Sequence, residues 1–263
     1  MLDILFAPPG ANAAREPSLV KMRQIEKQRA TLEERFKKDP QVKRSLEYFR
    51  EKIKTVKTVD DLLKDRRLLE FSLSAFQLES QVDMRGFLRK ILTEDSSDPK
   101  SLASRMNDPR FKQFANAFAF LKNGSDALSD PKIVEAIESA WHVNAFEKKQ
   151  GEQNPALREA MYFKRMIGGV SNHFQILASP ALASVVRTSL NLPMQFSALD
   201  VDQQAATLKK HLDLSKVKDP NWVNKFVDRF LINYDLAGGP PQMSSPGLFD
   251  LVLQSRSKLN IIV

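Results

Sequence analysis

Asp108-Pro109-Arg110-Phe111-Lys112-Gln113-Phe114-Ala115-Asn116-Ala117-Phe118-Ala119-Phe120 decides the fold class. Proline has no amide hydrogen, and the first turn of a helix leaves that donor unpaired in any case. The carboxylate just before it can cap the donors that remain. Phe111, Phe114 and Phe118 then recur at steps of three and four, which puts their rings on one face of a helix. The same punctuation stands at Asp39-Pro40, Asp98-Pro99, Asp130-Pro131, Asn154-Pro155, Ser179-Pro180, Asp219-Pro220 and Ser245-Pro246, each before an apolar run of helical spacing. With Asp108-Pro109 these pairs predict eight helix starts. No period-two run bounded by hairpin turns occurs. The reading is all-α and multihelical.

Working outward, Leu19, Met22, Ile25, Leu32 and Phe36 form one stripe, and Val42, Leu46, Phe49 and Ile53 another. Thr58-Val59-Asp60-Asp61 has the form of a capping box with aspartate in the acidic place. The expected segments are a disordered tail over 1–17, a basic helical arm over 18–57 and a first lobe over 58–125. A connecting helix over 126–170 follows, bent or broken at Gln150-Gly151-Glu152-Gln153. A second lobe covers 171–235, and a Gly-Pro linker with a short helix (247–259) ends the chain. Leu68, Phe71, Phe76 and Leu78, counted from Asp65, find Leu182, Val185, Leu190 and Leu192 at the same offsets from Ser179. Each set leads on to an Asp-Pro opening an aromatic helix. Either the chain holds an internal duplication, with two related lobes, or two amphipathic helices share a common pattern.

The chain of 263 residues is 42% hydrophobic and 27% charged, ordinary values for a globular protein that needs no metal or disulfide to hold a core. The absence of cysteine excludes thiolate catalysis and thiolate metal sites. No window approaches a membrane span, and a cytoplasmic location is expected. The net charge of +8 is uneven: residues 15–57 hold 14 Lys/Arg against 7 Asp/Glu, so nearly all of it lies there. Arg35, Lys37, Lys38, Lys43 and Arg44 cluster around a predicted helix junction. Such a cluster is either a solvated helix face laced with glutamates or a contact surface for an acidic partner. Nucleic acid is the alternative partner, although no aromatic platform or groove-reading motif accompanies the charge.

Chemistry-bearing constellations are missing. His142, His173 and His211 stand far apart, and no phosphate loop, nucleophile elbow or zincin helix occurs, so no catalytic residue, cofactor or metal site is assigned. One oddity is Lys64-Asp65-Arg66-Arg67. If Asp65 caps a helix, two arginines occupy its first turn, where the helix dipole opposes them. An internal ion pair is the preferred compensation, with an acidic partner as the other choice.

Tyr48-Phe49-Arg50-Glu51-Lys52-Ile53, Asp61 through Leu69, Ala75-Phe76-Gln77-Leu78, Phe87 through Leu92, Asp108-Pro109-Arg110-Phe111, Ala160-Met161-Tyr162-Phe163, Ser179 to Thr188 and Arg229-Phe230-Leu231 carry a resemblance. The sequence over about 20–236 resembles the alphaproteobacterial domain of unknown function 1217 family. The resemblance implies a multihelical fold without assigned catalytic residues, and genes commonly lying among flagellar genes. Gln77 departs from it, since the family often has glycine there. The expected function is therefore non-enzymatic: protein–protein contact in flagellar assembly or motility, with Arg35, Lys37, Lys38, Lys43, Arg44, Arg66 and Arg67 meeting the partner.

Overall fold

The computed structural model describes residues 16–123 and 131–238; the expected tail over 1–17, for all but its last two residues, and the expected C-terminal helix over 247–259 lie outside them. Among the described residues there are thirteen α-helices and no strand. They are α1 (Ser18–Lys37), α2 (Pro40–Ile53), α3 (Val59–Lys64), α4 (Arg66–Ser74), α5 (Arg85–Thr93), α6 (Leu102–Arg105) and α7 (Pro109–Ala117). Then come α8 (Pro131–Gly151), α9 (Pro155–Met166), α10 (His173–Leu177), α11 (Pro180–Ser189), α12 (Val201–His211) and α13 (Pro220–Leu236).

Proline opens α2, α7, α8, α9, α11 and α13 as expected. Asp39, Asp108, Asn154 and Asp219 each accept from the amide two residues on, so carboxylate or amide oxygen satisfies a donor that the helix cannot. The box at Thr58 closes in both directions: Asp61 N–H donates to Thr58 Oγ1 at 3.2 Å, and Thr58 N–H to Asp61 Oδ2 at 3.0 Å. Asp98-Pro99 is a correction. Asp98 accepts from Lys100 N–H within a turn, and the helix starts only at Leu102, capped by Ser101. A competing cap three residues downstream wins. Ser245-Pro246 lies outside the described residues.

Two apolar cores form. One gathers Phe49, Leu62, Leu68, Leu69, Leu88, Ile91, Phe114, Phe118 and Ile137 from α2–α5, α7 and the first half of α8. The other gathers Met22, Ile25, Phe146, Phe163, Ile176, Val185, Val186, Phe226 and Phe230 from α1, the last part of α8, α9–α11 and α13. The cores do not follow the expected segments. The basic arm over 18–57 is divided, with α1 buried against the second core and α2 within the first. The connecting helix is two helices, α8 and α9, broken after Gly151, where Asn154-Pro155 starts a new helix.

Position by position, the halves repeat one order of elements. The long helices α1 and α8 have 20 and 21 residues. Each is followed by a helix opened at Pro40 or Pro155, a short helix capped by Thr58 or Asn172, and then α4 or α11. Thr58 and Asn172 stand 114 positions apart, as do Asp65 and Ser179. Gln77 (φ 57°) and Asn191 (φ 52°), also 114 apart, are the two non-glycine residues with positive φ among the described residues. Both follow their helix with the same closure: Leu78 N–H bonds Leu73 O, and Leu192 N–H bonds Arg187 O, each at 2.9 Å. This left-handed site explains why glycine suits the position that Gln77 fills.

The long helices are exchanged between halves. Arg23 of α1 pairs with Asp228 of α13 at 2.6 Å, and Glu26 of α1 pairs with Lys164 of α9. In return, Glu138 of α8 pairs with Arg50 of α2 at 2.6 Å, and Arg50 and Lys164 are again 114 apart. The first half thus lends α1 to the second, and α8 in return gives its first part to the first core while its last part stays in the second.

Candidate functional site

The predicted contact residues sit at three helix ends. Arg35 and Lys37 lie in the last turn of α1, where the exposed carbonyls favour positive charge, and Lys38 follows them. Lys43 and Arg44 lie near the start of α2, one short turn away. Arg66 and Arg67 open α4. The structure brings Arg67 to Arg44, whose carbonyl accepts from Arg67 Nη2 at 3.4 Å. Arg66 is turned away, to Glu70 at 2.9 Å and Asp83 at 2.6 Å. The expected internal ion pair therefore holds for Arg66. For Arg67 it is a correction: its guanidinium lies 4.0 Å from the centre of the Tyr48 ring and meets no carboxylate of the described residues. The π face offsets the unfavourable place at the helix start without a counter-ion.

Tyr48 is fixed by the cap itself, since its hydroxyl donates to Asp65 Oδ1 and Oδ2 at 2.9 and 2.8 Å while Asp65 also accepts from Leu68 N–H at 3.0 Å. That carboxylate raises the Tyr48 pKa, with burial adding to it. Tyr48 in turn borders a groove of about 580 Å³ between the α1–α2 junction, α4 and α8, floored by Phe36, Val42, Phe71 and Trp141. Phe71 stacks on Phe49 at 4.3 Å and on Trp141 at 4.6 Å, a rigid column with its indole at the groove.

Asp39, Glu70, Glu79 and Glu152 line the groove together with Arg67, Lys148 and Lys149, and the cations of the α1–α2 junction stand beside it. Asp39 caps α2, Glu79 accepts from Asn144 Nδ2 at 3.2 Å and from Lys148, Glu152 holds Lys149 at 2.8 Å, and Glu70 holds Arg66. Lys37 is taken by Glu34 at 2.9 Å. Arg35, Lys38, Lys43 and Arg44 are exposed, and no carboxylate of the described residues lies within ion-pair distance of them. The acids are satisfied within the fold; these cations, with Arg67, are not.

A polar seam between the lobes escaped the sequence. Glu147, buried on α8, is held by Arg165 through Nε and Nη2, both at 2.9 Å, and by Gln77 Nε2 at 3.3 Å. Arg110 is gripped by Asp108 and donates to Gln77 O at 2.8 Å. Glu159 has its pKa raised, chiefly by burial, and its Oε2 has no hydrogen-bond partner. The repeat of Tyr48-Phe49 as Tyr162-Phe163, 114 positions on, was a legible sign of the two halves but names none of the seam's residues. The histidines stay separate: His173 Nε2 lies 3.0 Å from Leu212 O, and His142 meets Phe36 edge-on at 5.3 Å. Among the described residues no group of three or more His, Asp or Glu side chains could hold a metal ion, and no helix is long and apolar enough to cross a membrane.

In the comparison with curated proteins, none matches. An X-ray structure of an Agrobacterium tumefaciens protein is similar, at 32% identity and a TM-score of 0.74, with 89% of this chain and 100% of that one covered. The family profile described as "Protein of unknown function (DUF1217)" matches residues 75–223. The match starts at Ala75, beyond the resembling stretches at 48–53 and 61–69, and takes in those from Ala75 to Thr188. More than half of the sequence is thereby matched, and the chain belongs to the DUF1217 family.

Proposed function

We propose that this protein is a non-enzymatic helical scaffold that works by protein–protein contact, in flagellar assembly or motility, and that its two halves arose by internal duplication. The observation that carries the contact reading is the groove beside the α1–α2 junction. An aromatic floor ending in Trp141 is bordered by acids already engaged within the fold and by Arg67, while the unpaired cations Arg35, Lys38, Lys43 and Arg44 lie on the adjoining α1–α2 junction. Such a surface suits an acidic segment with an apolar anchor, because aromatic side chains supply most of the contact energy and unpaired charge steers the approach. The flagellar part rests on the genomic company that family resemblance implies. The duplication rests on the caps and left-handed residues 114 positions apart and on the reciprocal placing of the two long helices.

Deletion of the gene is expected to impair swimming and filament formation. Restoration by the wild-type gene, but not by a Lys43→Glu, Arg44→Glu, Trp141→Ala variant that still folds, is the expected result. Normal motility in the deletion strain refutes the flagellar assignment, and full rescue by the variant refutes the groove. The exposed cations at the same junction also favour a second reading, binding to nucleic acid. Retention on duplex DNA that collapses between low and moderate salt would select it.

A further inference from the structure

The two halves hold one local device in two states. In the first, Asp65 caps α4 and receives the Tyr48 hydroxyl, so a single carboxylate serves both a phenol and a helix start. In the second half, Tyr162, Leu182 and α11 occupy the places 114 positions on from Tyr48, Leu68 and α4, but Ser179 replaces Asp65. The Ser179 hydroxyl reaches Tyr162 Oη only at 3.5 Å and bonds none of the leading amides of α11. The other proline-led helices whose preceding residue is described are all capped by a side chain. Ser179 and Tyr162 are 3% and 2% exposed, so bulk water is a poor substitute for the missing group.

A cleft of about 390 Å³ opens at this point between the lobes. Tyr162 and Ser179 line it from the second half, Gln77 and Arg110 from the first, and Arg158 and Glu159 along α9. Asp108 already neutralises Arg110. Arg158, half-buried, makes no ion pair and no side-chain hydrogen bond among the described residues, and its charge acts on the neighbouring Glu159. Glu159 bonds Ser184, and burial raises its pKa against the opposing charges of Arg187 and Arg158.

We propose that this interlobe cleft binds a carboxylate, seated where the first half seats the Asp65 carboxylate. Tyr162 Oη, Ser179 Oγ and the leading amides of α11 donate to it, and Arg158 supplies the opposing charge. Donors without an ionised acceptor, beside a guanidinium that makes no ion pair among the described residues, specify a small anion, and the first half identifies its chemistry. The site is distinct from the groove at α1–α2 and does not depend on the contact reading.

The test is thermal unfolding of the full chain at pH 7 and fixed ionic strength. The probes are acetate, succinate, a tripeptide with a free or an amidated C-terminus, and inorganic phosphate, each against chloride. At least one carboxylate is expected to raise the melting temperature saturably. A response to acetate or succinate identifies a free acid as ligand, and one to the free but not the amidated peptide identifies a chain end. Ser179→Asp is expected to raise the ligand-free melting temperature by about 2–4 °C, as a new cap does, and to abolish the ligand shift. Arg158→Ala should weaken apparent affinity about tenfold with the ligand-free melting temperature unchanged, and it covers the case in which Ser179→Asp fails to fold. The proposal is overturned if no carboxylate acts beyond chloride, if phosphate acts and carboxylates do not, or if the shift persists undiminished in either variant.

Discussion

The Glu147–Arg165 pair tests whether the polar seam holds the lobes by charge or by packing. Glu147 is 2% exposed at its side chain, whereas Arg165 is 37% exposed. Removing Arg165 strands a buried carboxylate that keeps only the 3.3 Å bond from Gln77. Breaking a buried pair from one side typically costs 3–5 kcal/mol, and the water-accessible edge of Arg165 places this one nearer 2–3 kcal/mol. In a chain of this size, Arg165→Met should therefore lower the melting temperature by about 5–10 °C. Glu147→Leu leaves an arginine that can turn to solvent, so about 1–2 kcal/mol is expected. Replacing both removes two desolvation costs with the attraction, and the double variant should stand within about 1 kcal/mol of wild type. Urea unfolding provides the assay, followed by circular dichroism and by fluorescence of Trp141 and Trp222, which border the first and second cores respectively. Additive single effects, or less than about 1 kcal/mol for Arg165→Met, would refute the reasoning and leave packing as the bond between lobes.

Three further outcomes are expected. Arg67→Ala should cost no more than about 1 kcal/mol in a thermal melt, because an exposed cation–π contact and not an ion pair is lost; a drop well above that points to a carboxylate partner. Burial first, and then Lys37, lowers the His142 pKa below its ordinary 6.5. As pH falls through 6.5 the unfolded chain takes up the proton before the folded one, so this contribution is present above 6.5 and is lost on acidification. Melting temperatures between pH 7.5 and 5.5 should fall more steeply for wild type than for His142→Gln. Gln77→Gly should stay within about 1 kcal/mol of wild type, since relief of the positive φ is offset by the freer unfolded chain, whereas Gln77→Val should lose more than 1 kcal/mol by urea unfolding.

Helix starts were legible because proline and its capping neighbour act within one turn, where local chemistry decides. Asp98-Pro99 misled because Ser101 offers a second cap nearby, and choosing between two caps depends on which places Leu102 and Ala103 against the core. The stripes on α1 and α2 were equally visible, but a stripe does not name the core it faces. Met22 and Phe49, read as parts of one arm, belong to different cores. The candidate contact cluster was legible as composition and only half legible as geometry. Arg66 and Arg67 are adjacent in sequence, yet a helix sends neighbouring side chains about 100° apart, one to Asp83 and the other to the Tyr48 ring. The seam was invisible because Glu147, Arg165, Gln77, Arg110 and Asp108 come from four distant segments.

The exchange of long helices gives the repeated halves a mechanical consequence. α1 follows the packing of the second core while its chain continues, through Lys38-Asp39, directly into α2 of the first. With so short a link, a shift of one lobe against the other must pass through the α1–α2 junction, where the unpaired cations and the aromatic groove lie. The cleft at Ser179 borders the same interlobe seam from another side, and Gln77 joins the two by lining the cleft and bonding Glu147. A carboxylate seated in the cleft would therefore bear on the seam that sets the lobes' relative position, and through α1 on the groove. Two surfaces that are far apart in sequence are in this way mechanically adjacent, because the fold ties each half to the other with a rigid helix in place of a loop.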